Sequence, residues 1–317
     1  MQRRTFLQAG LAAASTTLWA ATESEWGSPV LDTHLHLRRE PDDCFTHMQG
    51  CGVTHALLLT RESEEAKAKE EMAKRKGRFV RSVSLDPAAP GAEAALRAAI
   101  KDGAVSIGEM KHHLALDSPE MQRVYAIAAE MRVPVMMHIQ VFPHFKGEEP
   151  YNTGYDHFDK MLKAHPKTIF VGHGDLFWAN IAADVPADRG YPAGPVKKGG
   201  LTDKWLSEFP NLYGDMSANS GNNALSRDMD FSQGFVSRHK DKLMFGSDCS
   251  CSDGHGAGVS QNNNPEAARL AGKCVARETL TVVKKLAGSD AVFRKLAFDN
   301  AVKLYRIQSQ IQSKLTV

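Results

Sequence analysis

The sequence predicts an α/β fold, a distorted (β/α)8 TIM barrel with long loops at its C-terminal mouth. Three observations lead there. Eight short apolar runs recur along the 317 residues, polar amphipathic stretches separate them, and the connections after the last four runs are long and rich in Gly, Pro and Asn. Alternating strand and helix implies a parallel sheet. Eight repeats of that unit favour a closed barrel over an open doubly wound sheet.

The expected strands are residues 29–36, 54–60, 79–85, 104–110, 133–139, 168–173, 212–217 and 243–248. Between them lie amphipathic segments at Glu62 to Lys76, Ala92 to Lys101, Pro119 to Met131, Phe158 to Ala164, Asp203 to Phe209 and Phe231 to Lys242, with a long helix from about Pro265 to Leu286. The connections 141–157, 174–200, 218–230 and 249–264 are expected to sit over the mouth and shape the substrate site.

The first 21 residues differ from the rest. Arg3-Arg4-Thr5-Phe6-Leu7, followed by a small-residue apolar run through Ala21, resembles a twin-arginine export signal. The expected organisation is therefore an export signal at 1–21, cut after Ala20 or Ala21, and one barrel with C-terminal helices at 22–317. The expected location is the periplasm and the expected export partner is the twin-arginine machinery. No cysteine lies in this segment, which argues against a lipid anchor.

Of 39 basic and 37 acidic residues, Arg3 and Arg4 are the only charges in the signal, so the remainder balances at 37 against 37. That neutrality gives no support for a nucleic-acid partner or an anionic membrane surface. No apolar stretch of the body reaches the ~18 residues of a membrane span. The five cysteines are too few and odd in number for a disulfide framework. Export would permit a bridge, for instance Cys44 to Cys51. Cys249 and Cys251 bracket Ser250, but no other Cys pair completes a soft-metal set, so thiol ligation is not expected there.

The chemistry gathers at strand ends. In Asp32-Thr33-His34-Leu35-His36, two imidazoles sit two positions apart, so both side chains leave one face of a strand and can grip one ion. Alone, such a pair is more often a solvated strand face. The fifth strand then ends at His138, the sixth at His173 and the eighth at Asp248, so four of eight strands end in His or Asp at the face where barrels carry their chemistry. On strand four, Glu109 and Lys111 share a face beside His112 and His113. Glu109 is read either as a bridging carboxylate or as the structural partner of Lys111, and Lys111 is placed near substrate unless its nitrogen is carboxylated.

These residues resemble the amidohydrolase superfamily, in its amidohydrolase-related branch, from about Val30 to Leu304. Asp32 to His36, Gly108-Glu109, His138, His173, Gly246-Ser247-Asp248 and Asn300 to Tyr305 carry the resemblance. It implies a barrel holding one or two divalent ions, with His34, His36 and His138 as ligands. It further implies Asp248 as ligand and proton carrier, and His173 as ligand or carbonyl polariser. Imidazole and carboxylate donors suit zinc first, with manganese or iron as alternatives. Asp32 is expected to support a ligand histidine rather than bind metal itself.

Softer candidates for substrate contact are Trp178, after the sixth strand, and Arg227, in the loop after the seventh, which can clamp a carboxylate. Of His144, His157 and His255 in mouth loops, at most one is expected to touch substrate. His47, His55, His165 and His239 read as structural or exposed. The expected function is an exported metal-dependent hydrolase cleaving a C-N or C-O bond in a small molecule. The alternative is a metal-dependent decarboxylase of a carboxylated aromatic or muconate-type acid. A metal- or sugar-binding module without catalysis ranks lower, because Asp248 and all four histidines are present. Barrel enzymes often associate, but no interface is legible.

Overall fold

The structure is a computed structural model that describes residues 24–40, 42–144, 147–149, 151, 153–186, 190–258 and 265–311. The expected export signal at 1–21 lies outside the described residues.

Among the described residues eight strands succeed one another around the fold: β1 (Leu31–His36), β2 (His55–Leu59), β3 (Phe79–Arg81), β4 (Ile107–Met110), β5 (Val135–His138), β6 (Phe170–His173), β7 (Leu212–Asp215) and β8 (Leu243–Met244). Every pairing is parallel, in one ladder β1-β2-β3 and a second β4-β5-β6-β7-β8. Individual backbone bonds stitch the two seams. Val105 donates to Arg81, Val83 to Ser106 and Gly108 to Val83 across the first; Thr33 donates to Phe245 and Asp248 to His34 across the second.

Helices fill the connections. After β1 comes α1 (Asp43–Cys51), then α2 (Glu65–Lys74), α3 (Ala92–Lys101), α4 (Pro119–Met131) and α5 (Phe158–Ala164). The second half carries α6 (Asp175–Ala179), α7 (Leu201–Glu208), α8 (Ala218–Ser226) and α9 (Met229–His239). The long helix expected from Pro265 is two pieces, α10 (Pro265–Ala268) and α11 (Val275–Ala287). Gly272 between them takes a φ of 71°, which no continuous helix accommodates. Beyond it lie α12 (Asp290–Arg294), α13 (Asn300–Tyr305) and α14 (Gln308–Ile311).

The core has two layers, as strand alternation requires. Leu31, Leu57, Leu59, Val80, Met136, Val171 and Met244 fill the barrel interior together with Val302 and Tyr305 of α13. Ala56, Leu58, Phe79, Val135, Met137, Phe170 and Leu243 face the helices. At the C-terminal ends of β5 and β6, His138 and His173 continue the inward series of Met136 and Val171, and their positions pair in register.

Two strands break the alternation just before a functional residue. On β1 the register slips by one residue between Asp32 and Leu35, so that Leu31 lies inside while Leu35 packs outside. On β4 the same slip falls between Ile107 and Met110, where Gly108 has a φ of 121° and a Cβ would lie 2.6 Å from the Met136 carbonyl oxygen. A bulge inserts one residue and re-aims the side chains beyond it. Here it turns His34, His36 and Glu109 into the mouth.

The β1/β8 seam is closed by a side chain as well as by backbone. Asp32 is fully buried, and its carboxylate accepts from the backbone of His34 (2.9 Å) and Ser247 (2.8 Å) and from the Ser247 hydroxyl (2.5 Å). Replacing it orphans three buried donors. Asp32→Ala is expected to cost about 2–4 kcal/mol in urea denaturation of the metal-free protein; a loss below about 1 kcal/mol would show that backbone bonds alone hold the seam.

Candidate metal centre

Glu109, at the end of β4, is buried beneath the mouth and surrounded by imidazoles. Its two oxygens face different pairs. Oε2 lies 3.4 Å from His36 Nε2 and 3.8 Å from His34 Nε2, both from β1. Oε1 lies 2.5 Å from His138 Nδ1 and 3.3 Å from His173 Nε2, from β5 and β6. Asp248, just after β8, completes the ring at 3.4 Å from His36 Nε2 and 3.9 Å from both His34 and His173 Nε2. Two triads have donor atoms close enough to share an ion, His34-Glu109-His173 and His34-His36-Asp248.

The imidazoles are held by the groups behind them. His34 Nδ1 is 2.7 Å from Asp215 Oδ2 at the end of β7, so Nδ1–H donates to that carboxylate and Nε2 faces the mouth. His173 Nδ1 is likewise 2.7 Å from the Ser217 hydroxyl. Both Nε2 atoms are buried without a hydrogen-bond partner. Buried nitrogens left bare in this way fit an ion that would sit between them.

His138 differs from the other three. Its Nε2 meets Gln140 Oε1 at 2.6 Å, and Gln140 is oriented by donating to the Phe142 carbonyl and to Glu148. His138 therefore reaches the cluster through Nδ1 against Glu109 and belongs to neither triad.

Electrostatics follow from packing like and unlike charges together. Partial desolvation opposes the charge on the half-exposed His36, but hydrogen bonds to Asp248 and Glu109 hold it up at about 9. Burial is likewise overcome at His34, which Asp248 and Asp215 raise well above the ordinary imidazole value. Burial opposes ionisation of both carboxyls, yet His34 and His36 hold Asp248, and His138 and His173 hold Glu109, well below the usual carboxylate range. His173 is lowered by burial and by the charge on His34, so it is neutral and ready to donate a lone pair.

A cleft of about 880 Å³ opens beside this ring, with His36, Glu109 and Asp248 on its wall. Lys111 lines it, joined by Arg61, His112, Glu148 and Tyr151. The loops after β2 and β3 form much of its rim, through residues such as Ser63, Asp86 and Pro90. Among the described residues, the expectation that the long loops after β5 to β8 wall the site is thus met by Glu148 and Tyr151. Parts of those loops are helical instead, in α6 and α8.

Three expectations need correction. Trp178 does not touch this cleft: it is fully buried, packs edge-on against Phe177 and Phe235, and donates its indole N–H to the Asp215 carbonyl at 2.9 Å. Arg227 lies away from the cleft and donates to the Gly194 and Pro195 carbonyls, tying down a loop. Asp32 supports no imidazole; Asp215 does that for His34. Sequence reasoning missed Asp215, Ser217 and Gln140, although Gly214-Asp215-Met216-Ser217 carries the same polar strand-end signature as the other strands. Of the loop histidines, His144 lies nearest, 3.4 Å from Asp175 with its ring 6.0 Å from that of His138, while His157 and His255 are exposed.

The family described as Amidohydrolase matches residues 32–307. The chain belongs to the amidohydrolase family. No curated protein matches this amidohydrolase. Among solved structures it is similar to a probable 2-pyrone-4,6-dicarboxylic acid hydrolase from Acinetobacter baumannii, at a TM-score of 0.55 and 13% identity, covering 87% of this chain and 99% of that one. It is also similar to dihydroorotase from Campylobacter jejuni, at a TM-score of 0.52 and 15% identity over 88% of this chain and 83% of that one. A third likeness is 5-carboxyvanillate decarboxylase from Novosphingobium aromaticivorans, solved with manganese, at a TM-score of 0.51 and 12% identity over 90% and 98%. At such identities the likeness is one of fold.

Two predictions concern this amidohydrolase's ligands. Metal ligation needs a neutral imidazole, and His36 keeps its proton up to about 9. Apparent affinity of the stripped protein for zinc is therefore expected to rise with pH and level off above about 9, with proton release measurable by calorimetry in buffers of different ionisation enthalpy. Asp215→Asn keeps the shape but loses the carboxylate behind His34, so zinc affinity should fall about 10–100-fold in a chelator competition. Unchanged affinity would place Asp215 outside the ligand support.

Proposed function

We propose that this amidohydrolase is an exported metal-dependent hydrolase that cleaves a C-N or C-O bond in a small, carboxyl-bearing molecule. The observation that carries this reading is the Glu109 carboxylate, each of whose oxygens faces a different pair of histidines. A carboxylate so placed suits a bridge between two ions. Such a pair serves reactions that must hold and activate water, and decarboxylation consumes none.

His34, His36, His173, Asp248 and Glu109 would hold the metal, zinc by donor type with manganese or iron as alternatives, and His138, expected as a further ligand, would instead back Glu109 through Nδ1 with its Nε2 on Gln140. When bound, the ion supplies a water whose pKa falls to ~7, hence a nucleophile at neutral pH. Asp248 is partly exposed on the cleft wall and anionic in the charge field of His34 and His36. It is positioned to take a proton from that nucleophile and return it to the leaving group. His173, with Nε2 facing the ring, can alternatively polarise the scissile carbonyl. Lys111 and Arg61 on the cleft wall offer cations to a substrate carboxylate.

Decarboxylation is the second reading, supported by the likeness to 5-carboxyvanillate decarboxylase and served by the same cationic wall. The twin-arginine-like start and its apolar run support export. That route, as generally understood, carries folded proteins, so metal can enter before export.

Glu109→Gln should bind one equivalent of metal fewer than wild type by elemental analysis. Turnover of a panel of small cyclic amides and lactones in ¹⁸O-water should place label in the acid product. Asp248→Asn should lower kcat by about 10²–10⁴ with the bound substrate retained. Carbon dioxide release from aromatic acids without label incorporation would sink the hydrolase reading in favour of the lyase.

A further inference from the structure

A second cluster of ligand-type side chains lies beside the mouth, outside the catalytic ring. His47, Cys249, Cys251 and Cys274 are all buried, and each offers a donor atom within 4.8 Å of the others. The sequence keeps them apart. His47 rides on α1, Cys249 and Cys251 flank Ser250 after β8, and Cys274 is the residue just before α11. No second Cys pair completes the set, but folding brings one further cysteine, Cys274, and His47 to Cys249 and Cys251. All five cysteines are free thiols, including Cys44 and Cys51.

Buried cysteine is common and by itself signifies only packing. Four observations go further. Cys249 Sγ and Cys274 Sγ are 3.9 Å apart, close to the ~3.8 Å edge of a tetrahedron with ~2.3 Å zinc–sulfur bonds. His47 Nδ1 is buried with no hydrogen-bond partner. The Gly256 backbone N–H donates to Cys251 Sγ at 3.0 Å, and Cys274 caps the N-terminus of α11. Burial and the neighbouring groups hold all three thiols above the ordinary cysteine value in the metal-free protein, so a bound cation would have to draw off their protons, helped by such a donor and the positive end of a 13-residue helix. Finally, Arg38 donates to the Cys249 carbonyl at 2.8 Å while its Nε is buried and unpartnered, placing a cation against the cluster.

We propose that His47, Cys249, Cys251 and Cys274 form a structural metal site of Cys3His type for a thiophilic d10 cation of the zinc class. Binding displaces three thiol protons to solvent and involves no redox change. One of those protons comes from Cys251, whose thiol donates to Asp253 Oδ1 at 3.2 Å. That oxygen keeps the backbone N–H groups of His255, Gly256 and Ala257 when the proton leaves. Three thiolates and a divalent ion carry one net negative charge, which Arg38 offsets. The site ties α1, the segment after β8 and the start of α11 together. Cys249 directly follows Asp248, whose φ of 47° is left-handed, so the site would fix the backbone that presents the catalytic carboxylate.

Cobalt(II) reports on thiolate ligation through sulfur-to-metal charge transfer in the near ultraviolet, which an imidazole and carboxylate ring does not give. Reconstituted full-length protein should show that band. C251S and C274S should lose it and unfold at lower temperature, while Glu109→Gln keeps it, separating this site from the mouth. Should either cysteine variant fail to fold, thiol titration of folded wild type decides. Zinc should slow the reaction of three thiols at least about tenfold relative to the chelator-stripped protein. Absence of the band, zinc-independent thiol reactivity, or a Cys249–Cys274 disulfide in freshly purified protein would each overturn the proposal.

Discussion

A carboxylate with almost no access to water must be met by positive charge, and at Glu109 that requirement organises the mouth of the barrel. Desolvating an ion costs several kcal/mol unless partners compensate. Four imidazoles from three strands meet this demand, two at each oxygen, while Asp248 and Asp215 add further negative charge to the same small volume. Protons held on His34 and His36 neutralise the ring in the metal-free protein. A divalent cation does so more compactly and also satisfies the bare Nε2 atoms of His34 and His173. The bulges on β1 and β4 arise from the same need, because regular alternation would not turn both β1 histidines and Glu109 into the ring.

Much of this was legible in the chain. All eight strands fall where apolar runs end in polar residues, and His34, His36, Glu109, His173 and Asp248 meet as their strand-end positions imply. The i, i+2 argument for His34 and His36 holds although the register slips between Asp32 and Leu35, because both imidazoles still face Glu109 and Asp248. Legibility failed where a contact depends on which strands become neighbours. Asp215 lies 181 positions from His34, and nothing local says that β7 rather than Asp32 backs that ring. Trp178 misled for a related reason: an aromatic after a strand end can face the mouth or the helix layer, and here it packs into the helix layer with its N–H bonded to the Asp215 carbonyl. The cysteine cluster shows the same limit, since α1, the β8 extension and α11 touch only after the barrel forms.

The seam between β1 and β8 joins residues more than 200 positions apart, Asp32 to Ser247 and His34 to Asp248. Contacts of such separation carry a loop-closure penalty and belong to the late steps of folding. His34, His36 and Asp248 straddle that seam, so their shared ligand geometry exists only once the last strand has docked on the first. Loading with metal is then a checkpoint on closure. A chain still waiting for β8 lacks the Asp248 donor, so the His34-His36-Asp248 triad is completed only in the finished barrel.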